Sequence, residues 1–196
     1  MDEPMAAARS EFILGGQRSG KSRRAEMLAR QWLAQSPQHQ AVLIATAQGW
    51  DGEMRERIAR HQQDRAARVP GMRTVEEPLA LAQAITQHSR SDTLVVVDCL
   101  TLWLTNLLMP AQNSGQKMPP AQEPWAQAAM ILRAIESAEG PVILVGNEIG
   151  LGVIPMGRET RDFVDALGRL NQDVAAACKR VTLMAAGLPL TLKGTP

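Results

Sequence analysis

The chain has almost no excess of either charge: 21 Lys and Arg against 20 Asp and Glu leave a formal net charge of +1. Nothing in that balance implies the polyanion-binding surface that nucleic-acid proteins carry, and a small-molecule partner is expected. Cysteine is scarce, with only Cys99 and Cys178. Both lie in apolar segments, one just after a predicted strand and one near the end of a predicted helix, so reduced core residues are expected and not a disulfide. No apolar run approaches the ~20 residues that span a bilayer, and no N-terminal stretch joins a basic start to a sustained apolar core. A cytoplasmic location without a membrane span is expected. Internal repeats are also missing, and low complexity is confined to Met109–Pro124, whose prolines, Gly115 and glutamines read as an exposed loop.

What is present is a complete phosphate-binding loop. Gly15-Gly16-Gln17-Arg18-Ser19-Gly20-Lys21-Ser22 has the form G-x-x-x-x-G-K-[ST]. Such a motif has meaning only when a strand feeds it and a helix leaves it. Here Glu11-Phe12-Ile13-Leu14 runs into the glycines, and Ser22 to Leu33 carries Ala25, Leu28, Ala29 and Trp32 at helical spacing. The glycines leave backbone N–H groups free to face phosphate oxygens, and the positive end of the helix dipole adds to the attraction. Lys21 is expected to reach the β and γ phosphates and the Ser22 hydroxyl to hold Mg²⁺. The loop therefore predicts a bound nucleoside triphosphate.

At 196 residues the chain suits one α/β domain. Residues 1–10 read as a loose extension and 11–196 as the nucleotide-binding catalytic domain. Strand-like apolar runs recur at Phe12–Leu14, Ala41–Ala45, Thr93–Val97, Val142–Val145 and Val181–Ala185, separated by helical patterns or loops. That alternation predicts a P-loop (RecA-like) α/β domain, with a mostly parallel sheet flanked by helices. The runs Leu94–Val97 and Val142–Val145 are apolar on both faces and belong deep in the sheet. A last run, Leu188–Leu192, contains Pro189, which favours an edge position because proline cannot donate to a ladder; an antiparallel pairing with its predecessor is expected.

Three further features could carry chemistry. Asp98 ends a buried run at the C-terminal edge of a central strand, where open α/β sheets bind ligands. It is expected to hold Mg²⁺ opposite Ser22, with capping of the following helix as the competing role. His61 lies in the polar segment 51–68 and shares a helical face with Met54 and Ile58. Its ring nitrogen could serve as general base, nucleophile or metal ligand, and a purely structural histidine is the alternative. His39 and His88 are read as surface residues. The third feature is the glycine-rich run from Gly146 to Pro155, with Asn147, Glu148, Gly150 and Gly152, which reads either as a ligand-binding loop or as a long connection. Beyond it, Phe163, Leu167, Leu170 and Val174 mark the apolar stripe of a helix.

Together, Gly15 to Glu26, Asp98-Cys99-Leu100-Thr101 with Asn106, and Asn147-Glu148-x-Gly150-x-Gly152-x-x-Pro155 with Gly168 and Asn171-Gln172 resemble one family. It is the bifunctional adenosylcobinamide kinase / adenosylcobinamide-phosphate guanylyltransferase family of cobalamin biosynthesis, matched from about Phe12 to Lys193. The resemblance implies phosphorylation of the adenosylcobinamide hydroxyl by ATP or GTP. It then implies transfer of GMP from GTP, through a histidine matching His61, to give adenosylcobinamide-GDP. It further implies guanine-nucleotide contacts at Ala45, Thr46, Ala47, Gln62, Gln63, Asp64, Arg65, Glu76 and Asp98, and a homo-oligomer, a trimer. Met156-Gly157 stands where the family commonly has Glu-Asn, and Val164 where an arginine often follows the phenylalanine.

Two other classes compete with this reading. A kinase of another small alcohol would leave His61 a bystander. A GTP-dependent switch would be expected to show an Asn-Lys-x-Asp guanine-reading motif, and Asn147 is followed by Glu148. A RecA-like motor on nucleic acid is disfavoured by the small size and balanced charge.

Overall fold

The computed structural model describes residues 8–49, 52–109, 123–153 and 155–195, without the side chains of residues 53, 54, 57, 61 and 123. Its elements are β1 (Ser10–Gly15), α1 (Lys21–Gln35), β2 (Gln40–Ala45), α2 (Gly52–Arg68), β3 (Met72–Glu76), α3 (Leu81–His88) and β4 (Thr93–Asp98). After these come α4 (Leu100–Leu108), α5 (Glu123–Ser137), β5 (Val142–Asn147), α6 (Arg158–Ala177), β6 (Arg180–Ala185) and β7 (Leu188–Lys193). Seven strands form one sheet in the order β3-β2-β4-β5-β1-β6-β7. All neighbours are parallel except β6 and β7, and β7, which holds Pro189, is an edge strand as expected.

The strands are apolar on both faces because both faces are covered. Phe12, Leu14, Val95, Val97, Val142 and Leu144 pack with residues of α3 to α6, including Leu81, Ile85, Trp103, Ile131 and Leu170. The alternating partners Ile13, Leu94, Val96, Ile143 and Val145 pack with Ala25, Leu28 and Ala29 of α1. This period-two division is what a parallel sheet between helices requires. On α6 the stripe holds: Leu167, Leu170 and Val174 are buried and Phe163 packs partly buried against them.

Several boundaries differ from the sequence expectation. Apolar patterning does not reveal β3, because Met72-Arg73-Thr74-Val75-Glu76 is polar and half-exposed; its backbone pairing with β2 makes it an edge strand. β1 begins at Ser10, whose hydroxyl accepts from Lys179 N at 3.0 Å, while Arg9 O accepts from Val142 N at 3.0 Å, so the sheet takes in the end of the expected extension. β5 runs on through Gly146 and Asn147, where a Cβ on Gly146 would lie 2.8 Å from the Phe12 ring. Of the expected loop Met109–Pro124, residues 110–122 lie outside the described residues, and α5 already starts at Glu123.

The sheet also buries a charge that the sequence presents as an ordinary strand carboxylate. Glu11 is fully buried and accepts from Arg24 Nε at 3.1 Å, Arg180 Nη1 at 3.5 Å and Thr182 Oγ1 at 2.8 Å. It ties β1, the strand that feeds the phosphate loop, to α1 and β6. Removing one member of a buried pair strands the other charge in low dielectric. Glu11→Ala is therefore expected to cost about 3–5 kcal/mol, read as a lower denaturation midpoint, and a loss below about 1 kcal/mol would show that the arginines find other compensation.

Cys99 and Cys178 are buried and free, as expected. Burial pushes both thiols up to about 12. Thiolate is the reactive form, so an alkylating reagent at pH 8 is expected to modify both cysteines in denaturant and neither in the folded chain within the same time.

Candidate active site

The phosphate loop leaves β1 and closes on α1 in the conformation its glycines permit. Gly20, the N-cap of α1, has φ 100, in the left-handed region open to glycine at little cost. At Gly15 a Cβ would meet Met184 O and Ser19 Oγ, each at 2.5 Å. The loop is braced by neighbouring backbone: Glu148 N donates to Gly15 O at 3.1 Å and Gly187 N to Ser19 O at 3.0 Å. No side chain caps α1, so its first N–H groups remain available to an anion.

Lys21 is 8% exposed and folds back on this loop, donating from Nζ to Gly16 O at 2.6 Å and to Ser19 Oγ at 3.5 Å. Burial lowers its pKa, against the opposing pull of Cys99 and Asp98. The ammonium thus waits inside the loop with a carboxylate close enough to influence it.

A cleft of about 720 Å³ opens above the loop. Gln17, Arg18, Ser19, Gly20, Lys21 and Ser22 form one wall, Ala45, Ala47, Asp98 and Asn147 contribute from the strand ends, and α2 contributes Ile58, Gln62, Asp64 and Arg65. Segments far apart in the chain therefore meet over the phosphate loop. α2 therefore borders the cleft along much of its length, through residues on more than one of its sides, Glu56 and Arg60 as well as Ile58. Position 61 follows three residues later, a spacing that shares a helical face; the His61 side chain lies outside the described residues.

Other expected site residues act one layer away. Thr46 is fully buried, and its Oγ1 donates to Cys99 O at 2.7 Å and accepts from Cys99 N at 2.8 Å. It locks the end of β2 to the β4–α4 junction beside Asp98 and does not line the cleft. Glu76 accepts from Gln62 Nε2 at 3.3 Å, linking β3 to α2. Gln63 is exposed on α2, and Gly15 and Gly16 shape the loop without lining the cleft. Glu148 accepts from Gly150 N at 2.8 Å and from Asn171 Nδ2 at 3.5 Å, which folds the loop after β5 onto α6. In that loop Leu151, Val153 and Met156 are exposed, with Gly152 between the first two.

Asp98 is not the cap of α4. That position falls to Cys99, with no side-chain cap bond, which leaves the Asp98 carboxylate on the cleft. Ser22 and Asp98 supply one hydroxyl and one carboxylate, a donor set that suits Mg²⁺ completed by phosphate oxygens and water. Among the described residues no three His, Cys, Asp or Glu gather as a metal cage. His39 and His88 are half-buried and not simple surface residues. His39 stacks on Trp32 with ring centroids 3.7 Å apart, and His88 Nδ1 lies 3.2 Å from Arg73 Nη2. Burial, Arg73 and Arg90 lower the His88 pKa. Neither lines the cleft.

Several contributors are hidden or only partly legible in the sequence. Asn106 donates to Thr46 O at 2.8 Å and to Pro78 O at 3.1 Å, and Thr101 Oγ1 accepts from Asn147 N at 2.8 Å. Both residues belong to the motifs that carry the family resemblance, and their contacts explain why: they hold the strand ends around Asp98. Arg65 is 8% exposed, lines the cleft, and its Nε has no hydrogen-bond partner.

Similar folds occur in the flagellar accessory protein FlaH from Methanocaldococcus jannaschii, with a TM-score of 0.52 and 10% identity, covering 97% of this chain and 80% of that one. A Pyrococcus horikoshii structure, PH0250, gives a TM-score of 0.55 at 10% identity, covering 98% and 89%. These show the fold alone. In sequence, the chain is 47% identical over 187 residues to the bifunctional adenosylcobalamin biosynthesis protein CobP of Pseudomonas aeruginosa, covering 95% of this chain and 98% of that protein. It is 36% identical over 192 residues to CobU of Salmonella typhimurium, covering 93% and 98%. The family model described as cobinamide kinase / cobinamide phosphate guanyltransferase matches residues 11–192. With the phosphate loop, the acidic strand end and the helix of position 61 around one cleft, the chain belongs to the cobinamide kinase / cobinamide phosphate guanyltransferase family.

Proposed function

We propose that the one cleft serves both reactions of this bifunctional enzyme in adenosylcobalamin biosynthesis, with His61 as the covalent carrier of GMP. The observation that carries this reading is that α2, the helix of position 61, lines the same cleft as Lys21 and Asp98. In the kinase step the cobinamide hydroxyl oxygen attacks the γ-phosphorus of ATP or GTP, the bond to the β–γ bridging oxygen breaks, the nucleoside diphosphate leaves and the hydroxyl proton passes to solvent. Lys21 and the N–H groups at the start of α1 take up the developing charge. In the transferase step a His61 ring nitrogen attacks the α-phosphorus of GTP and pyrophosphate leaves. An oxygen of cobinamide phosphate then attacks that phosphorus, the P–N bond breaks and the imidazole is released with adenosylcobinamide-GDP. Two displacements replace one difficult one.

Mg²⁺ held by Ser22 and Asp98 would supply charge neutralisation on the phosphate chain. Arg65, which lines the cleft and is ion-paired with Glu26 at 4.0 Å, adds a fixed cation on the nucleotide side. Ala45, Ala47, Gln62 and Asp64 line the nucleotide side, Thr46 and Glu76 position it, and the loop with Asn147, Glu148, Gly150 and Gly152 borders the corrinoid. Its exposed Leu151, Val153 and Met156 would give that large ligand an apolar rest. The enzyme is further proposed to be a cytoplasmic homo-oligomer, a trimer, measurable by light scattering; no described helix is long and apolar enough to cross a membrane.

The test supplies adenosylcobinamide with GTP labelled at either the α or the γ phosphate. The γ label is expected in adenosylcobinamide phosphate and the α label in adenosylcobinamide-GDP, with chain-bound α label as the intermediate. Formation of the GDP product without chain-bound label in rapid-quench samples would overturn the covalent step.

A further inference from the structure

We propose that Glu26 is a positioning residue for guanylyl transfer, fixing the helix of position 61 against the helix of the phosphate loop through Arg65 and Arg68; this rests on the histidine reading above. α2 is a polar helix, and among the described residues its polar ties to the body cluster in its last two turns. Arg68 Nη1 donates to Glu26 Oε2 at 2.7 Å, and Arg65 Nε lies 4.0 Å from Glu26 Oε1. Arg65 Nη1 also donates to Thr74 Oγ1 at 3.2 Å, and Gln62 reaches Glu76. Just past the helix, Val69 is buried in the α1 face of the core.

Glu26 is 6% exposed, so its charge faces these arginines with little screening by water. It sits on α1, five residues after Lys21 and four after Ser22, and moves with the phosphate loop as one helix. Arg65 is four residues after position 61, on the same helical face. The path from the triphosphate cradle to the nucleophile therefore runs Lys21, α1, Glu26, Arg65 and Arg68, α2, position 61. The hydrogen bond from Arg68 also raises the arginine's own pKa, chiefly through Glu26.

The two reactions depend on this path unequally. In-line attack on the α-phosphorus requires the imidazole about 3–3.5 Å from its target, and a displacement near 1 Å can cost about a hundredfold. γ-Phosphoryl transfer to the cobinamide hydroxyl uses Lys21 and the loop but not position 61. A residue that only stabilised the fold would impair both together.

The variants are Glu26→Gln, Glu26→Asp and Arg68→Gln in the full chain, read by amide hydrogen exchange, chain labelling from α-labelled GTP, and cobinamide phosphorylation. In Glu26→Gln, labelling at saturating GTP is expected to slow about a hundredfold while kcat for phosphorylation, read at saturating nucleotide, stays within about threefold. Amides of 52–68 should exchange at least about tenfold faster with those of 21–35 unchanged. Glu26→Asp, which keeps the charge, should recover part of the labelling rate. Arg68 is half-exposed, so Arg68→Gln should fold even if the Glu26 variants do not, and should show the same split at about tenfold. Unchanged exchange over 52–68, or a parallel fall of both activities in a folded variant, overturns the proposal. If the wild-type chain takes no label at all, the covalent reading fails, and the exchange measurement alone decides whether Glu26 holds α2.

Discussion

Lys21→Ala is expected to abolish cobinamide phosphorylation and guanylylation together, each by a factor on the order of 10² to 10³, the size of losing one preorganised charge-stabilising donor. The reason is geometric. Lys21 is held inside the loop by Gly16 O, 2.6 Å from Nζ, and is the one lysine lining the described cleft. Whichever phosphorus is attacked, negative charge builds on oxygens that this ammonium neutralises. Lys21→Arg should not restore either rate, since a planar fork does not fit a cradle shaped for a point charge. Assaying both reactions on one preparation checks this; survival of either rate within about tenfold of wild type would show that the loop is not shared. The lysine also sets a pH limit. Burial lowers its pKa, so the charged form is lost as pH rises through a value below the ordinary 10.5. The alkaline limb of kcat/KM, which reports the free enzyme, is expected below 10.5 and should be absent from the residual activity of Lys21→Ala.

His61→Asn should separate the reactions that Lys21→Ala removes together. Asparagine retains a polar side chain of similar reach but has no nitrogen able to attack phosphorus. Chain labelling and adenosylcobinamide-GDP formation are expected to fall on the order of a thousandfold or more, as for removal of a covalent nucleophile. Phosphorylation should remain within about threefold, because the γ-phosphoryl passes directly between oxygens. On the wild-type chain the label should be lost in acid, as a phosphoramidate requires. Acid-labile label persisting in His61→Asn would place the nucleophile elsewhere and remove the histidine from the mechanism.

These two expectations draw on different kinds of legibility. The loop Gly15–Ser22 is contiguous, and its fit to phosphate follows from local backbone chemistry, so strand, turn and helix can be read directly. Asp98 can be placed at a strand end by the apolar run before it, and the structure removes its competing role by giving the cap of α4 to Cys99. The polar strand β3 cannot be found by apolar periodicity, because an edge strand needs only one neighbour and little burial. The family resemblance implies Thr46 at the nucleotide; its full burial and its two bonds to the Cys99 backbone show what it does locally.

The sequence by itself determined the parallel sheet and the phosphate-loop motif, since each rests on residues adjacent in the chain or repeated at a fixed period. Only the tertiary structure decided which distant segments share the cleft. Register across β4, β5 and β1 brings Asp98 and Asn147 beside the loop. It also decided that Glu11 and Glu26 are buried ion-pair partners and not solvated charges. Burial of a charge is tolerable only where a partner arrives from another element, and pairing between elements has no local signature in sequence.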